Sequence, residues 1–302
     1  MRPGEHRSKA AERSPRVTAG LVEAVIDTHS GVLSALSIGG ASVLTVGPRV
    51  ELWRAPTDND GLKLLPNQEF PGMAAKALVK WRRWGLDRLE RQLVSITQDK
   101  GITALHHLVG ADGVFAVHRQ RIRLLANGAL VFDERVDVPS LWDDVARVGM
   151  SWLTAPGFNT MDWFGRGPGE NEPDRCGGSV LGRYRGALDE LPYLMPQDFG
   201  TRSEVRWFSL ESSSVGMGVE LIDTGKSNHH RASFAAIHHT QSDLTVATDR
   251  LDLQLRRETA VNFDIARRGV GTASCGPDTL ARFRVAPGRY RWTWQMTPYL
   301  LQ

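Results

Sequence analysis

Residues 114–138, VFAVHRQRIRLLANGALVFDERVDV, consist of two extended runs joined by Asn127-Gly128. Asn and Gly both tolerate positive φ angles, so this dipeptide is a strong signal for a tight hairpin turn. In the second run, apolar and charged residues broadly alternate from Leu130 to Asp137, as they do in a strand with one buried face. The segment therefore predicts two adjacent antiparallel strands.

The same pattern of short apolar runs separated by Gly, Pro, Asn and Asp continues in both directions. Further strands are predicted at 22–26, 32–38, 41–46, 89–97, 102–109, 145–153, 205–210, 216–222, 233–237, 251–255, 279–285 and 289–296. A single helix is predicted at 73–84, between Pro71-Gly72 and Gly85. No βαβ alternation occurs. We expect an all-β antiparallel sandwich over residues 17–302, preceded by a disordered tail or linker remnant at 1–16.

Composition narrows the classes of function. The 302 residues carry a net charge of +3 and no basic stripe with interleaved aromatics, so nucleic acid is not an expected partner. No stretch of about 18 apolar residues occurs, which argues against a membrane span, and residues 1–16 do not resemble a secretory signal.

The two cysteines, Cys176 and Cys275, are too few for a disulfide framework, and we expect a cytoplasmic protein. Most of the nine tryptophans are expected in the core.

The first polar cluster is WRAPTDNDG at 53–61, which ends a strand and enters a long loop. Arg54, Asp58, Asn59 and Asp60 have the chemistry to bind sugar hydroxyls or a cation, but also to fix the loop by Asx-type hydrogen bonds, which we favour. Gly61 is a candidate hinge for a flap at 62–71.

The second cluster is WFGRGPGENEPDR at 163–175. It has the glycine density of a phosphate-binding loop, but no GK[ST] follows and no helix begins there. A structural turn locked by Glu170, Asp174 and Arg175 is the better interpretation.

The third cluster is RGVGTASCGPD at 268–278, where glycines allow the backbone to approach a ligand closely. Cys275 is a nucleophile only if something activates it, and a small buried hydrophobe is the more common role. The adjacent histidines at 106–107, 229–230 and 238–239 point to opposite faces of a strand, so no such pair can chelate one metal ion. A metal site in this chain is not expected.

Together, these clusters resemble the C-terminal domain of long bacterial β-galactosidases. In bacteria that encode the enzyme as a large and a small chain, the sequence resembles the small chain, and a C-terminal fragment of a split gene fits equally well. The resemblance is carried by RAPTDNDG (54–61), GRGPGENEPDR (165–175), LPYLMPQDFGTRSEVRW (191–207), GVGTASCGPD (269–278) and PGRYRWTW (287–294). It runs from about residue 22 to residue 296.

The resemblance implies a large antiparallel β-supersandwich similar to galactose mutarotase. It implies a part in the retaining hydrolysis of terminal β-galactosides, with the catalytic glutamates and the Mg²⁺ and Na⁺ sites on a separate large chain. This chain would then hold no catalytic residue, would be inactive alone, and would complete the active site as one wall. Ser274, Cys275, Gly276 and Gly61 would lie near the substrate, with Cys275 at the position of the family's usual tryptophan.

The remaining motif positions would be structural under the same resemblance; they are Arg54, Asp58, Asn59, Asp60, Gly165, Glu170, Asn171, Asp174 and Arg175. Two other hypotheses remain open. One is a stand-alone carbohydrate-binding module. The other is a mutarotase-like epimerase, which would need a histidine acid and a carboxylate base on facing strands.

Overall fold

Strands make up almost all of the regular structure. The computed structural model describes residues 15–64, 76–188, 190, 192–225, 231–274 and 276–301. Its helices are α1 (Ala77–Trp84) and α2 (Gln241–Val246). Its strands are β1 (Arg16–Ala19), β2 (Val22–Asp27), β3 (Val32–Ile38), β4 (Ala41–Glu51), β5 (Glu90–Gln98), β6 (Ile102–Val109), β7 (Phe115–Leu124), β8 (Leu130–Val138), β9 (Arg147–Thr154), β10 (Thr160–Gly167), β11 (Val180–Ala187), β12 (Arg202–Val205), β13 (Trp207–Glu211), β14 (Val215–Asp223), β15 (Ala232–Ile237), β16 (Ala260–Arg267) and β17 (Gly288–Leu300).

The strands form two antiparallel sheets. One has eight strands in the order β1-β2-β3-β4-β9-β16-β15-β12, and the other has nine in the order β11-β10-β13-β14-β17-β8-β7-β6-β5. The predicted hairpin joins β7 to β8 in the larger sheet, with Leu124 opposite Leu130 and Gly128 at φ +84°. The predicted all-β sandwich is therefore confirmed.

Stacked aromatic rings fill the space between the sheets. Trp152 of β9 packs against Phe208 of β13 and Trp294 of β17, with ring centroids 6.3 and 5.6 Å apart. Trp294 also stacks on Phe132 of β8 at 4.2 Å. Of the nine tryptophans, only Trp207 is not buried, so most of these rings belong to the core, as predicted.

Two strands were missed in the glycine-rich second cluster and just after it, because glycine weakens a strand signal. The cluster begins inside β10 and becomes a loop only after Gly167, and β11 follows. A Cβ atom at Gly165 would lie 2.6 Å from Cγ2 of Val205. Gly165 is therefore needed for the close approach of β10 to β12.

Two predicted strands are wrong. Residues 250–252 form a 3-10 turn, because Asp249 accepts a hydrogen bond from the Leu251 amide and the Asp252 carboxylate accepts from Thr248 and Asp249. Such side-chain bonds compete with the pairing of a sheet. Residues 281–283 form another 3-10 turn, and only Val285 makes a bridge, to Val145.

A third predicted strand is divided. The run at 205–210 belongs to β12 in one sheet and β13 in the other. The predicted helix at 73–84 is present as α1, and its first residues, 73–75, lie outside the described residues, as do residues 1–14. Neither helix in the described part of the chain is long and apolar enough to cross a membrane.

Helix α2 was missed although its signal is present in the sequence. Thr240 accepts a hydrogen bond from the Asp243 amide at 3.1 Å, and Asp243 accepts one from the Thr240 amide at 2.8 Å. This reciprocal capping box follows the pattern Ser/Thr-x-x-acid that begins many helices.

Candidate functional site

A buried row of polar side chains lies on the outer face of the eight-stranded sheet. Alternation along β9 sends Trp152 into the core and Arg147 and Ser151 to the other face. There Arg147 pairs with Asp264 of β16 at 2.6 Å, and Ser151 donates to Asn262 at 2.6 Å. Arg147, Asn262 and Asp264 are buried, and the cleft described next is lined by loop segments.

The cleft has a volume of about 410 Å³. Four loop segments line it, and they include parts of all three polar clusters found in the sequence. The lining residues are Thr57, Asp58, Asn59, Glu170, Asn171, Glu172, Arg175, Tyr193, Gln197, Asp198, Phe199, Val270 and Ser274.

Asn59 joins the first cluster to the third. Its amide donates to the Gly271 carbonyl at 2.9 Å, and its oxygen accepts from the amide and the hydroxyl of Ser274 at 3.2 and 2.8 Å. Cys275 lies outside the described residues, while its neighbours Ser274 and Gly276 are described. The structure thus places Ser274 at the edge of the cleft and shows what holds it there.

Side chains of the second cluster also bind backbone groups of the third cluster. The Asp174 carboxylate accepts from the amides of Val270 and Gly271 at 3.0 and 2.7 Å, and Arg175 donates to the Gly271 carbonyl. The side chains of Asp174 and Arg175, which the sequence predicted to lock their own turn, thus bind the backbone of another loop.

Glu170 and Asn171 fix the segment before β12. Glu170 accepts from the Tyr193 hydroxyl at 2.5 Å and from the Gly200 amide at 2.8 Å. Asn171 accepts from the amide of Ser203 at 3.0 Å and from its hydroxyl at 2.5 Å. Burial, together with the bond to Glu170, raises the pKa of Tyr193, so its hydroxyl stays protonated as a donor.

Arg267 forms a charged centre beneath the cleft that the sequence did not reveal. It makes two 2.8 Å bonds to Glu172, a 3.1 Å bond to Asp264 and a further ion pair with Asp198. Burial would lower the pKa of Arg267, but Asp198 and Glu172 outweigh it and hold the pKa well above its ordinary value. Burial raises the pKa of Glu172, and Arg267 opposes this.

Arg54 and Asp60 are fully buried, and their side chains stabilise the fold by binding each other. Arg54 binds both oxygens of Asp60 at 2.6 and 3.0 Å, and Arg268 reaches the same carboxylate at 3.4 Å. Both guanidinium groups lie over the Trp81 ring, 5.5 and 5.9 Å from its centroid. Asp58 is exposed at the rim.

Gly61 has φ +145°, and a Cβ atom there would lie 3.0 Å from Cβ of Leu78. Two residues later, the Lys63 ammonium donates to the carbonyls of Pro196, Leu244 and Ala247 at 2.7, 2.8 and 2.5 Å. A movement about the predicted hinge would have to break these bonds. Residues 65–71 of the predicted flap lie outside the described residues.

A histidine–carboxylate pair of the kind the epimerase hypothesis requires occurs elsewhere in the chain. His118 of β7 lies 2.8 Å from Glu134 of β8, and Glu134 also accepts from Gln120 at 2.8 Å and Trp294 at 3.2 Å. These side chains are buried between the sheets. The pair is therefore closed to a sugar, and the epimerase hypothesis gains no support from it.

Two large antiparallel sheets, with a polar cleft on the outer face of one, define a galactose mutarotase-like sandwich. A galactose mutarotase-like protein from Lactobacillus casei ATCC 334 has this fold, with a TM-score of 0.50 and 11% identity over 95% of this chain and 100% of that one. More particularly, the family of the beta galactosidase small chain matches residues 18–296, and the chain belongs to that family. The family resemblance seen in the motifs is confirmed.

Curated relatives agree with this assignment. A β-galactosidase of Arthrobacter sp. (strain B7) is 30% identical over 273 residues, which are 84% of this chain and 26% of that protein. A β-galactosidase of Photobacterium profundum is 28% identical over 286 residues, 90% of this chain and 26% of that protein. The chain thus spans about a quarter of the length of these relatives.

Proposed function

We propose that this chain is the small chain of a two-chain β-galactosidase and forms one wall of its active site. The reacting carboxylates, and any Mg²⁺ and Na⁺, would be held by a large chain that corresponds to the remaining three-quarters of the relatives. The substrate would be a terminal β-galactoside. We also propose a cytoplasmic location, since two cysteines are too few for a disulfide framework.

The main support for the proposal is that most carboxylates lining the cleft are already bound by other residues of this chain. Retaining hydrolysis needs two carboxyl groups, about 5 Å apart, that are free to attack and to protonate. Among the described lining residues, Glu170 is held by Tyr193 and Gly200, and Glu172 and Asp198 are held by Arg267. These carboxylates support the loops of a cleft wall. Asp58 alone would not supply a pair.

The test is reconstitution with a chromogenic galactoside. The small chain, the large chain from the same organism and their mixture are assayed at matched concentrations. We expect hydrolysis only in the mixture. Activity of the purified 302-residue chain alone would overturn the proposal, and a Glu172→Gln variant would then show whether the cleft acids react.

A titration distinguishes this proposal from the hypothesis of a stand-alone carbohydrate-binding module. Galactose is titrated into the isolated small chain by calorimetry, with glucose as the control sugar. A wall that is completed by a large chain should bind galactose weakly when alone. Tight, galactose-selective binding, with no gain of activity in the mixture, would favour the module.

A further inference from the structure

Apolar side chains are exposed beside the cleft, on segments that Lys63 holds together. Its ammonium contacts the carbonyls of Pro196, Leu244 and Ala247, so the segments around residues 62–64, 194–196 and 244–247 meet at one place. Among the residues that the structure describes, the four most exposed large apolar side chains lie on two of these segments or on the residues that follow α2. They are Leu251 at 92%, Leu194 at 85%, Val246 at 76% and Leu255 at 74%.

A groove runs through this surface between α2 and the segment that follows it. It has a volume of about 620 Å³. Its apolar lining comes from Val246, Ala247, Leu253 and Leu255, and its polar lining from Ser242, Asp243, Asp252, Gln254 and Arg256. The Asp243–Arg256 ion pair, at 2.5 Å, stands on its wall. Apolar side chains mixed with charged ones are usual where an interface core meets its polar rim.

The exposure is costly for a chain in water. Contiguous apolar patches on monomeric proteins are small, and larger ones mark binding sites. The local sequence does not need these leucines for its fold, because the turn at 250–252 is held by Asp249 and Asp252. A partner that covers them would explain their presence.

We propose that Leu194, Val246, Leu251, Leu255 and this groove form the docking surface for the large chain, and this inference rests on the proposed function. Tyr193, Gln197 and Asp198 line the cleft, while Leu194 and the Pro196 carbonyl belong to the docking surface. A partner that completes the cleft is therefore brought against the docking surface. The three-quarters of the relatives that this chain does not match supply a partner of sufficient size.

A charge-insertion variant tests the surface. Leu251→Glu with Leu255→Glu places two carboxylates on the docking surface at positions that the fold leaves exposed. Leu21→Glu is the matched control, because Leu21 is 64% exposed on the β1–β2 turn, at the opposite edge of the sheet from β12. The affinity of each small chain for the large chain from the same organism is measured by sedimentation or interferometry, after circular dichroism has shown equal folding.

We expect the double variant to weaken binding about 100-fold or more, as loss of a buried apolar anchor does, and L21E to bind like the wild type. Unchanged affinity of the double variant would overturn the docking surface and leave the proposed function intact. If the wild type itself bound no large chain, the proposed function would fall, and the docking surface with it. If the isolated wild type formed dimers that the double variant abolished, with unchanged large-chain affinity, the surface would belong to a second copy and the inference would be wrong.

Discussion

Asn59 and Ser274 are 215 residues apart in the chain, and one side-chain oxygen joins them. The Asn59 oxygen accepts from the Ser274 amide and hydroxyl, while its nitrogen donates to the Gly271 carbonyl. These hydrogen bonds hold the loop before Cys275 against the loop that follows β4. Because Asn59 also lines the cleft, the position of the rim loop and the shape of the cleft depend on the same residue.

Asn59→Ala should impair the assembled enzyme more than it destabilises the small chain. The loss of three hydrogen bonds at a half-buried site should cost about 1–2 kcal/mol of the free energy of unfolding. Displacement of the rim loop by about 1 Å should lower kcat/KM for a chromogenic galactoside about tenfold or more. Chemical denaturation of the small chain and steady-state kinetics of the assembled enzyme measure the two effects.

Asn159→Ala is the control for this variant, because Asn159 is exposed and does not line the cleft. It should leave both quantities close to those of the wild type. If N59A and N159A gave equal kcat/KM values, the rim loop would not depend on Asn59.

Asp60→Asn should destabilise the fold strongly. Asp60 is fully buried between Arg54 and Arg268, and it also accepts from the amide and hydroxyl of Thr57. Removing one partner of a buried ion pair leaves uncompensated charge and typically costs about 3–5 kcal/mol. Urea denaturation should therefore show a much lower midpoint. Asp58→Asn, two residues away and exposed, should change the free energy of unfolding by less than about 0.5 kcal/mol. Similar midpoints for the two variants would contradict this account.

The sequence was most informative where a signal is local. The Asn127-Gly128 hairpin and the alternation in β8 are set by neighbouring residues, and both were predicted. The glycines of β10 weakened its strand signal, and the leucines at 251 and 255 mimicked a strand within a turn capped by aspartates. The first error comes from a tertiary contact, because Gly165 is needed where β12 approaches β10. The second comes from local hydrogen bonds of Asp249 and Asp252 that outweigh the apolar composition.

In the candidate site, too, the residues found from the sequence belong to local clusters, and the residue that was missed has distant partners. The motif residues Asn59, Glu170 and Asp174 were found because they stand in compact polar clusters. Arg267 was missed because its partners, Glu172 and Asp198, are 95 and 69 residues away. No periodicity or spacing joins such residues, since only the folded sheet brings them together.

Lys63→Met should loosen the junction behind the docking surface. Burial lowers the pKa of Lys63, yet its ammonium serves three carbonyls at once. Methionine keeps the length of the side chain but leaves those acceptors without this donor, at a cost of about 1–3 kcal/mol for each buried group that finds no other partner. Hydrogen exchange should accelerate at residues 244–247.

Lys80→Met is the matched control for Lys63→Met. Lys80 pairs with the exposed Asp143 at 2.8 Å, and such surface pairs contribute about 0–1 kcal/mol. Its exchange pattern at 244–247 should equal that of the wild type. Unaltered exchange in K63M would show that the junction does not depend on the ammonium.

The buried histidines predict that the fold is less stable in mild acid. Burial lowers the pKa of His106 from 6.5 to about 4, partly offset by its 2.7 Å bond to the Ser30 carbonyl. Burial likewise lowers the pKa of the neighbouring His118, although Glu134 opposes this, and Arg91 disfavours a charge on either ring. Between about pH 6.5 and pH 4 the unfolded chain therefore binds more protons than the folded one, so the free energy of unfolding falls as the pH falls. For His106 alone the slope approaches about 1.4 kcal/mol per pH unit.

His106→Gln should flatten this dependence, because glutamine does not titrate but can still donate to the Ser30 carbonyl. Urea denaturation at intervals from pH 7 to pH 4 measures the free energy of unfolding for each protein. His107→Gln is the control, since His107 follows on the same strand but points to the opposite face, where it stacks on Phe115 at 4.1 Å. H107Q should keep the acid slope of the wild type while H106Q loses part of it. Parallel curves for H106Q and the wild type would mean that His106 is not the titrating group, and the acid sensitivity would then have to come from His118 or from carboxylates that lose their ion pairs.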